Sequence, residues 1–421
     1  MDHNSIFLIL AIIFCFLMNW GVGANDLANV MSTTMGSKAV TVKQALLIAV
    51  IFEFAGAFLG GADVTETMRD GIINTMQLME KPHILIEGML GVLLACTVWM
   101  NLASLLGVPV SITNALVGSM VGFGWLVLGS DAIQWKQVSH IAIGWVTSPV
   151  ISGITAYALF TSIQLLIFTK RDVLEKAKRY IPFYLFLVGS VLSFITVFKG
   201  LKHFHIHLNI QQSIAMTLLT SILVTGIGLL GIRHIQERPE MRRRDRFLQV
   251  EKYFAVLMAM TACAMVFAHG ANDVSLTVAP LTIVHSLITH RHQDIQSTGY
   301  PVWIVLLGCL GVLCGFLVYG RRVIETVGSS ITALTPSRAF AATLAAATTV
   351  VVATSVGIPV SATQTLVGSV LGVGLARGIG ALNLIVIRNI FTSWILTLPV
   401  ASLLTILSYQ FLHFLFAKLL Y

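Results

Sequence analysis

Long apolar stretches alternate with short polar connections along almost the whole chain. They fall at about 6–22, 43–61, 84–105, 107–129, 138–168, 182–199, 213–232, 253–269, 301–320, 338–356, 357–379 and 383–416. A run of about 20 apolar residues is long enough to cross the ~30 Å hydrocarbon core of a bilayer as a helix. Only helical bundles and closed barrels satisfy their backbone polar groups there, and a barrel would alternate apolar and polar positions. These runs are continuous. The pattern therefore predicts an all-α polytopic membrane protein of about twelve transmembrane segments. The run at 138–168 carries Pro149 and is long enough to tilt or kink. The first run starts at Ile6 with no Lys or Arg before it, so it reads as a retained helix and not as a signal peptide.

Composition agrees: 56% of residues are hydrophobic and 10% charged, against about 25% charged in soluble proteins. The net charge of +8 would suggest nucleic acid in a soluble chain. Here the basic residues cluster in short connections, where they report topology. Lys170, Arg171, Lys176, Lys178 and Arg179 lie in one loop, and Arg233, Arg238, Arg242, Arg243, Arg244, Arg246 and Lys252 in another. Two helices separate these loops, so both can face the cytoplasm. Counting crossings from there puts both termini outside and Arg321, Arg322 and Arg377 inside. The Arg242–Arg246 cluster is also suited to anionic lipid. The five cysteines lie in apolar runs without metal-ligand spacing and read as small core residues.

Two motifs occur twice. Gly23-Ala24-Asn25-Asp26 returns as Gly270-Ala271-Asn272-Asp273, and the segment 107–119 returns as 357–369, both at an offset of about 250 residues. Pro149 and Pro399 share that offset, and Val64-Thr65-Glu66-Thr67 resembles Val323-Ile324-Glu325-Thr326. The chain divides into a first repeat at 1–168, a connector with two transmembrane helices and basic loops at 169–252, and a second repeat at 253–421. An odd number of crossings separates the two first helices, so the repeats have inverted topology. Inverted repeats with broken or re-entrant helices characterise secondary transporters, which rock one unit against another around a midplane site.

The chemistry concentrates in those repeats. An ionised Asp deep in a bilayer costs several kcal/mol unless paired. Asn25, Asp26, Asn272 and Asp273 form a candidate cation or proton site, with the preceding glycine expected to end helix 1 near residue 22 and free carbonyls there. The competing reading is capping and snorkelling at a helix end. Pro109-Val110-Ser111-Ile112-Thr113-Asn114 and Pro359-Val360-Ser361-Ala362-Thr363-Gln364 each start a new helix after Gly-x-Pro. Such ends offer free N–H groups, hydroxyls and an amide, and bind anions without Lys or Arg. Ordinary capping and small-residue packing are the alternative. Glu53 and Glu87 stand within apolar runs as candidate coupling carboxylates, with a snorkelling or paired carboxylate as the alternative. His269 precedes the second motif where Val22 precedes the first; the position suits tuning of an ion site, but the duplication does not support that role. His203, His205, His207, His290 and His292 read as solvated loop residues, with no transition-metal site. No P-loop, nucleophile elbow or His-Glu-x-x-His is present, so the chain reads as no enzyme, and uphill transport would run on an ion gradient.

These motifs, Gly-Ala-Asn-Asp-Leu-Ala-Asn at 23–29, Gly-Ala-Asn-Asp-Val at 270–274 and the paired Pro-Val-Ser-x-Thr-(Asn/Gln)-x-Leu-Val-Gly-Ser segments, resemble the inorganic phosphate transporter (PiT) family of ion-coupled phosphate symporters. The stretch 36–73 is similar to the sodium-coupled branch. The resemblance implies phosphate at Ser111, Thr113, Asn114, Ser361, Thr363 and Gln364, and sodium at Asn25, Asp26, Asn272 and Asp273. It implies no cofactor beyond the coupling ion. The expected partners are phosphate, sodium and the lipid bilayer, with no nucleic acid and with a homodimer left open. Many family members carry Glu where Thr343 aligns. The short loop 233–252 stands where animal members have a large domain, which points to a prokaryotic inner membrane. A proton- or metal-coupled phosphate symporter of the same fold, and a passive anion channel, are the alternatives.

Overall fold

The structure, a computed structural model, describes residues 3–61, 64–65, 67–68, 71–73, 78, 81–200, 208–235, 242–289 and 301–419. His203, His205, His207, His290, His292, Glu66 and Arg238 lie outside the described residues. Among the described residues, fourteen helices of nine residues or more carry the architecture. In the first half they are α1 His3–Val22, α2 Ala28–Gly36, α3 Val42–Gly60, α4 Pro82–Leu106, α5 Ile112–Leu128 and α6 Trp135–Ile163. The connector supplies α7 Val173–Ile195 and α8 Ile210–Arg233. The second half supplies α9 Arg243–His269, α10 Ala279–Thr289, α11 Val302–Ser330, α12 Pro336–Ser355, α13 Ala362–Arg377 and α14 Leu384–Leu419. Among the described residues ten helical stretches are long and apolar enough to cross a membrane. Large apolar side chains cover the exterior, with Ile395 72% and Ile210 71% exposed, as expected where lipid and not water is the solvent.

Helices α5 and α13, of 17 and 16 residues, each pair with the preceding helix as a hairpin. Arms α4 and α5 run antiparallel: Gly88 faces the Phe123 ring, and Cys96 Sγ lies 3.4 Å from Ser119 Oγ. At the hairpin base the Gln134 N–H donates to the Ile72 carbonyl at 2.9 Å. Arms α12 and α13 repeat the arrangement, and the Asn383 N–H donates to the Ile331 carbonyl at 3.1 Å at their base. Both ends of each hairpin therefore lie at one end of the bundle.

The tips have a local cause. Gly107 and Gly357 adopt φ of 68° and 73°, the left-handed conformation that only glycine takes without penalty. The N–H of the following residue then bonds back to Ala103 or Ala353, at 3.0 and 3.1 Å, and closes the arm. Pro109 and Pro359 cannot continue a helix, and Ser111 and Ser361 cap the return arm by accepting from the Asn114 and Gln364 N–H groups, each at 3.2 Å.

The expectation that helix 1 ends near residue 22 is corrected. Residues 3–36 form one continuous helical rod in which Gly23–Leu27 make a single π-helical turn, and Gly270–Val274 do the same in the second rod. The glycines serve helix approach. A Cβ on Gly23 would strike the Val312 carbonyl, and one on Gly270 the Glu53 carbonyl. Gly315 and Gly56 return the contact, against Trp20 and Phe267. Lipid offers no hydrophobic drive for helices to associate, so close backbone approach through small residues is what packs them.

The halves interlock. Helix α6 of the first half packs on α13 of the second through Pro149, Gly153, Gly368 and Gly372. Helix α14 of the second packs on α5 of the first through Leu398, Ser402, Gly118 and Gly122. Matching hydroxyls complete both contacts: Ser152 donates to the Thr365 carbonyl at 2.5 Å, and Ser402 to the Gly118 carbonyl at 2.6 Å.

Candidate functional site

The two π turns and the two hairpin tips meet in the protein interior. Asn25 and Asn272 are fully buried, and Asp26 and Asp273 are each 1% exposed, so snorkelling does not account for them. The π turn widens the helix by one residue, and such turns recur at functional sites. Here each presents adjacent amide and carboxylate side chains toward a tip.

Both amides hold tip backbone. Asn25 Oδ1 accepts from the Val110 N–H at 3.0 Å, and its Nδ2 donates to the Val108 carbonyl at 2.9 Å, so one side chain spans Pro109. Asn272 Oδ1 accepts from the Val360 N–H at 3.3 Å, and its Nδ2 donates to the Val360 carbonyl at 2.7 Å.

The carboxylates differ from each other. Asp26 Oδ1 accepts the Thr363 hydroxyl at 2.5 Å, and Oδ2 accepts the Ile112 N–H at 3.3 Å. It thus touches the tip of its own half and reaches across to the other. Asp273 accepts from Asn272 at 3.2 Å through Oδ1, while no hydrogen bond reaches its buried Oδ2. Thr113, placed like Thr363, donates instead to the Val360 carbonyl at 3.2 Å. The tips therefore touch each other, and the candidate cation and anion groups form one continuous cluster. Ser111 donates to Asn114 Oδ1 at 3.0 Å, and Gln364 Oε1 is buried without a partner.

A further pair, not paired in the sequence, flanks Asp273. His269 Nδ1 lies 2.6 Å from Glu53 Oε1, and its Nε2 stands 3.6 Å from Asp273 Oδ2. All three are buried. The close glycine contacts equate Glu53 with Val312 and His269 with Val22, so the first motif has an apolar pair where the second has an ionisable one. The available signal was that Glu53 and His269 are both polar positions without a counterpart in the other repeat.

Glu87 is not brought to the site. It lies twenty residues from Gly107 along α4, about 30 Å for a helix, where Oε2 pairs with His413 Nδ1 at 2.7 Å. Thr343 shares a 2.8 Å hydrogen bond with Thr33, about two turns beyond Asp26 on the same rod.

Buried carboxylates at paired helix distortions, facing neutral helix N-termini inside a bundle of membrane-length helices, define a membrane transporter and not an enzyme. The chain matches the phosphate transporter family over residues 22–405 and belongs to that family. A Haemophilus influenzae protein named as a phosphate permease is 42% identical over 407 residues, covering 96% of each chain. The inorganic phosphate transporter 2-1, chloroplastic, of Arabidopsis thaliana is 35% identical, covering 94% of this chain and 70% of that one. Among solved structures, one titled the sodium-dependent phosphate transporter superposes with a TM-score of 0.85 at 34% identity, covering 97% of this chain and 99% of that one.

Proposed function

We propose that this phosphate transporter is a sodium–phosphate symporter working by alternating access. The carrying observation is the bonding of Asp26 to Thr363 and to the Ile112 N–H. A carboxylate here holds the same donors that an oxyanion would need. Phosphate would take them only when Asp26 turns away toward another positive partner, and a cation supplies it. Carboxylate and carbonyl oxygens suit a hard cation such as sodium. Asp273 Oδ2, buried with no hydrogen bond, fits the same role.

The cation then offsets the charge of the anion, which rests among Ser111, Thr113, Asn114, Ser361, Thr363 and Gln364. Each ion lowers the electrostatic cost of the other, so binding is cooperative and transport is coupled. Asn25 and Asn272 keep the tips in register through the cycle. Hinging of the hairpins would expose the cluster to one side and then the other. The basic loops would face the cytoplasm and both termini the outside.

Proteoliposomes with an imposed sodium gradient should accumulate phosphate above its external concentration. Replacing sodium by choline at fixed pH should stop it, and Asp26→Asn and Asp273→Asn should reduce uptake to background in folded protein. Accumulation that persists in choline would end the sodium assignment. Downhill flux alone would make the protein a channel. A proton-coupled cycle has one observation in its favour, the imidazole set between Glu53 and Asp273. Uptake driven by a pH gradient without sodium would select it.

A further inference from the structure

A cavity of about 610 Å³ opens through the side of the bundle, toward the space lipid would fill. Its walls are α6 and α14, and its floor is α13, where Gly368 and Gly372 leave room. Its outer rim is apolar and exposed: Val150 is 54%, Ile154 65% and Ile395 72% exposed. Small-molecule sites fall in the range of about 300–1,000 Å³.

The inner end is different. Gln364 and Trp394 line it at 3% and 6% exposure. The side chains of Gln364, Trp394 and Trp145 all line this cavity, and Gln364 Oε1, Trp394 Nε1 and Trp145 Nε1 are buried without a hydrogen-bond partner. A buried unpaired polar group costs about 1–3 kcal/mol, and here one acceptor and two donors belong to side chains that line one apolar slot. A saturated chain alone would leave all three unpaired. A head that both donates and accepts satisfies them, and a neutral one avoids carrying charge into the membrane interior.

We propose that this slot binds a single-chain amphiphile with a neutral hydroxyl-bearing head, such as a long-chain alcohol or a protonated fatty acid. The hydroxyl donates to Gln364 Oε1 and accepts from the indole N–H groups, while the chain lies along Val150, Ile154 and Ile395 toward the bilayer. Asn114 and Gln364 line the slot and also belong to the proposed phosphate site. Resting on that reading, occupancy from the membrane side inhibits phosphate transport.

The test uses the full chain in proteoliposomes and a brominated octadecanol, which quenches tryptophan at short range. Brominated phosphatidylcholine at equal bromine content measures general lipid contact. Quenching by the alcohol should saturate, and the saturable part should vanish in Trp145→Phe/Trp394→Phe. Val150→Phe and Ile154→Phe, on exposed rim positions, should weaken it by about fivefold or more while the protein stays monodisperse. The alcohol should slow phosphate uptake in parallel. Equal, linear quenching by both lipids, or saturable quenching untouched by the rim variants, overturns the proposal. So does absence of quenching with cross-linking between Ile154→Cys copies, which assigns the slot to a second chain. Saturable quenching in a protein that moves no phosphate sustains the amphiphile site and removes the phosphate reading instead.

Discussion

At the scale of single residues, the Glu53–His269 pair sets the two motifs apart. Removing one member of a buried ion pair leaves the other uncompensated and costs about 3–5 kcal/mol, whereas replacing both with apolar residues of similar shape is often neutral. The other half already has the apolar version, with Val22 in the place of His269 and Val312 in the place of Glu53 by the matching glycine contacts. Glu53→Val and His269→Val should each lower the unfolding temperature in detergent. The double variant should recover most of that loss and still transport poorly, because Asp273 loses its ionic neighbour. Additive losses of stability would show that the pair is not a unit. Thr363→Val and Thr113→Val offer a matched comparison. Thr363 donates to Asp26 and Thr113 to a backbone carbonyl, so the first should impair sodium-dependent uptake far more than the second. A reading of the repeats alone ranks these threonines equally. The identities of Asn25, Asp26, Thr113 and Thr363 were visible in the duplicated motifs, but which partner each one takes depends on contacts across the chain, and duplication hides any asymmetry between copies.

At the scale of elements, glycine before Asn-Asp carries the clearest lesson. Its presence suggested an unwound helix, since glycine is a poor helix former. The rod continues because Gly23 and Gly270 sit where a neighbouring backbone leaves no room for a Cβ. Sequence near a glycine does not distinguish these causes; the second requires knowing which helix lies opposite. Gly23→Ala and Gly270→Ala should therefore act as overpacking changes, costing about 1–3 kcal/mol, although alanine is the better helix former. Thermal unfolding of both variants checks this, and an increase in stability would favour the unwinding account. The hairpin tips were more legible, because Gly-x-Pro followed by Ser is a local stop-and-start signal. It left the pairing of the arms unseen. Reading α4 and α5 as two crossings or as one hairpin changes the count by two and leaves its parity untouched, so the inverted relation of the repeats survives either reading.

At the scale of the whole molecule, the repeats exchange partners: α6 crosses to the second hairpin and α14 to the first. Neither half is then a compact unit by itself, and the boundaries drawn at 168 and 253 mark homology more than independent folding. The same inversion makes a prediction about sidedness. Excess Lys and Arg mark cytoplasmic loops, and the hairpins add no net crossing. Starting from basic loops inside, the turn at Lys38 and the loop at Asp172 should lie in the cytoplasm, and Ser130 and Asn209 outside. The pairing of Gln134 with Ile72 adds a structural constraint, since it fixes the segments on either side of the first hairpin at one end of the bundle. Single cysteines at Ser130 and Asn209, on a background free of the native cysteines, should react with an impermeant maleimide in intact cells. Cysteines at Lys38 and Asp172 should react only after permeabilisation. All four reversed would mean that the whole protein is inverted, with the cation site loaded from the other face. Ser130 and Asn209 reacting on opposite sides would break the crossing parity on which the inverted-repeat transport cycle depends.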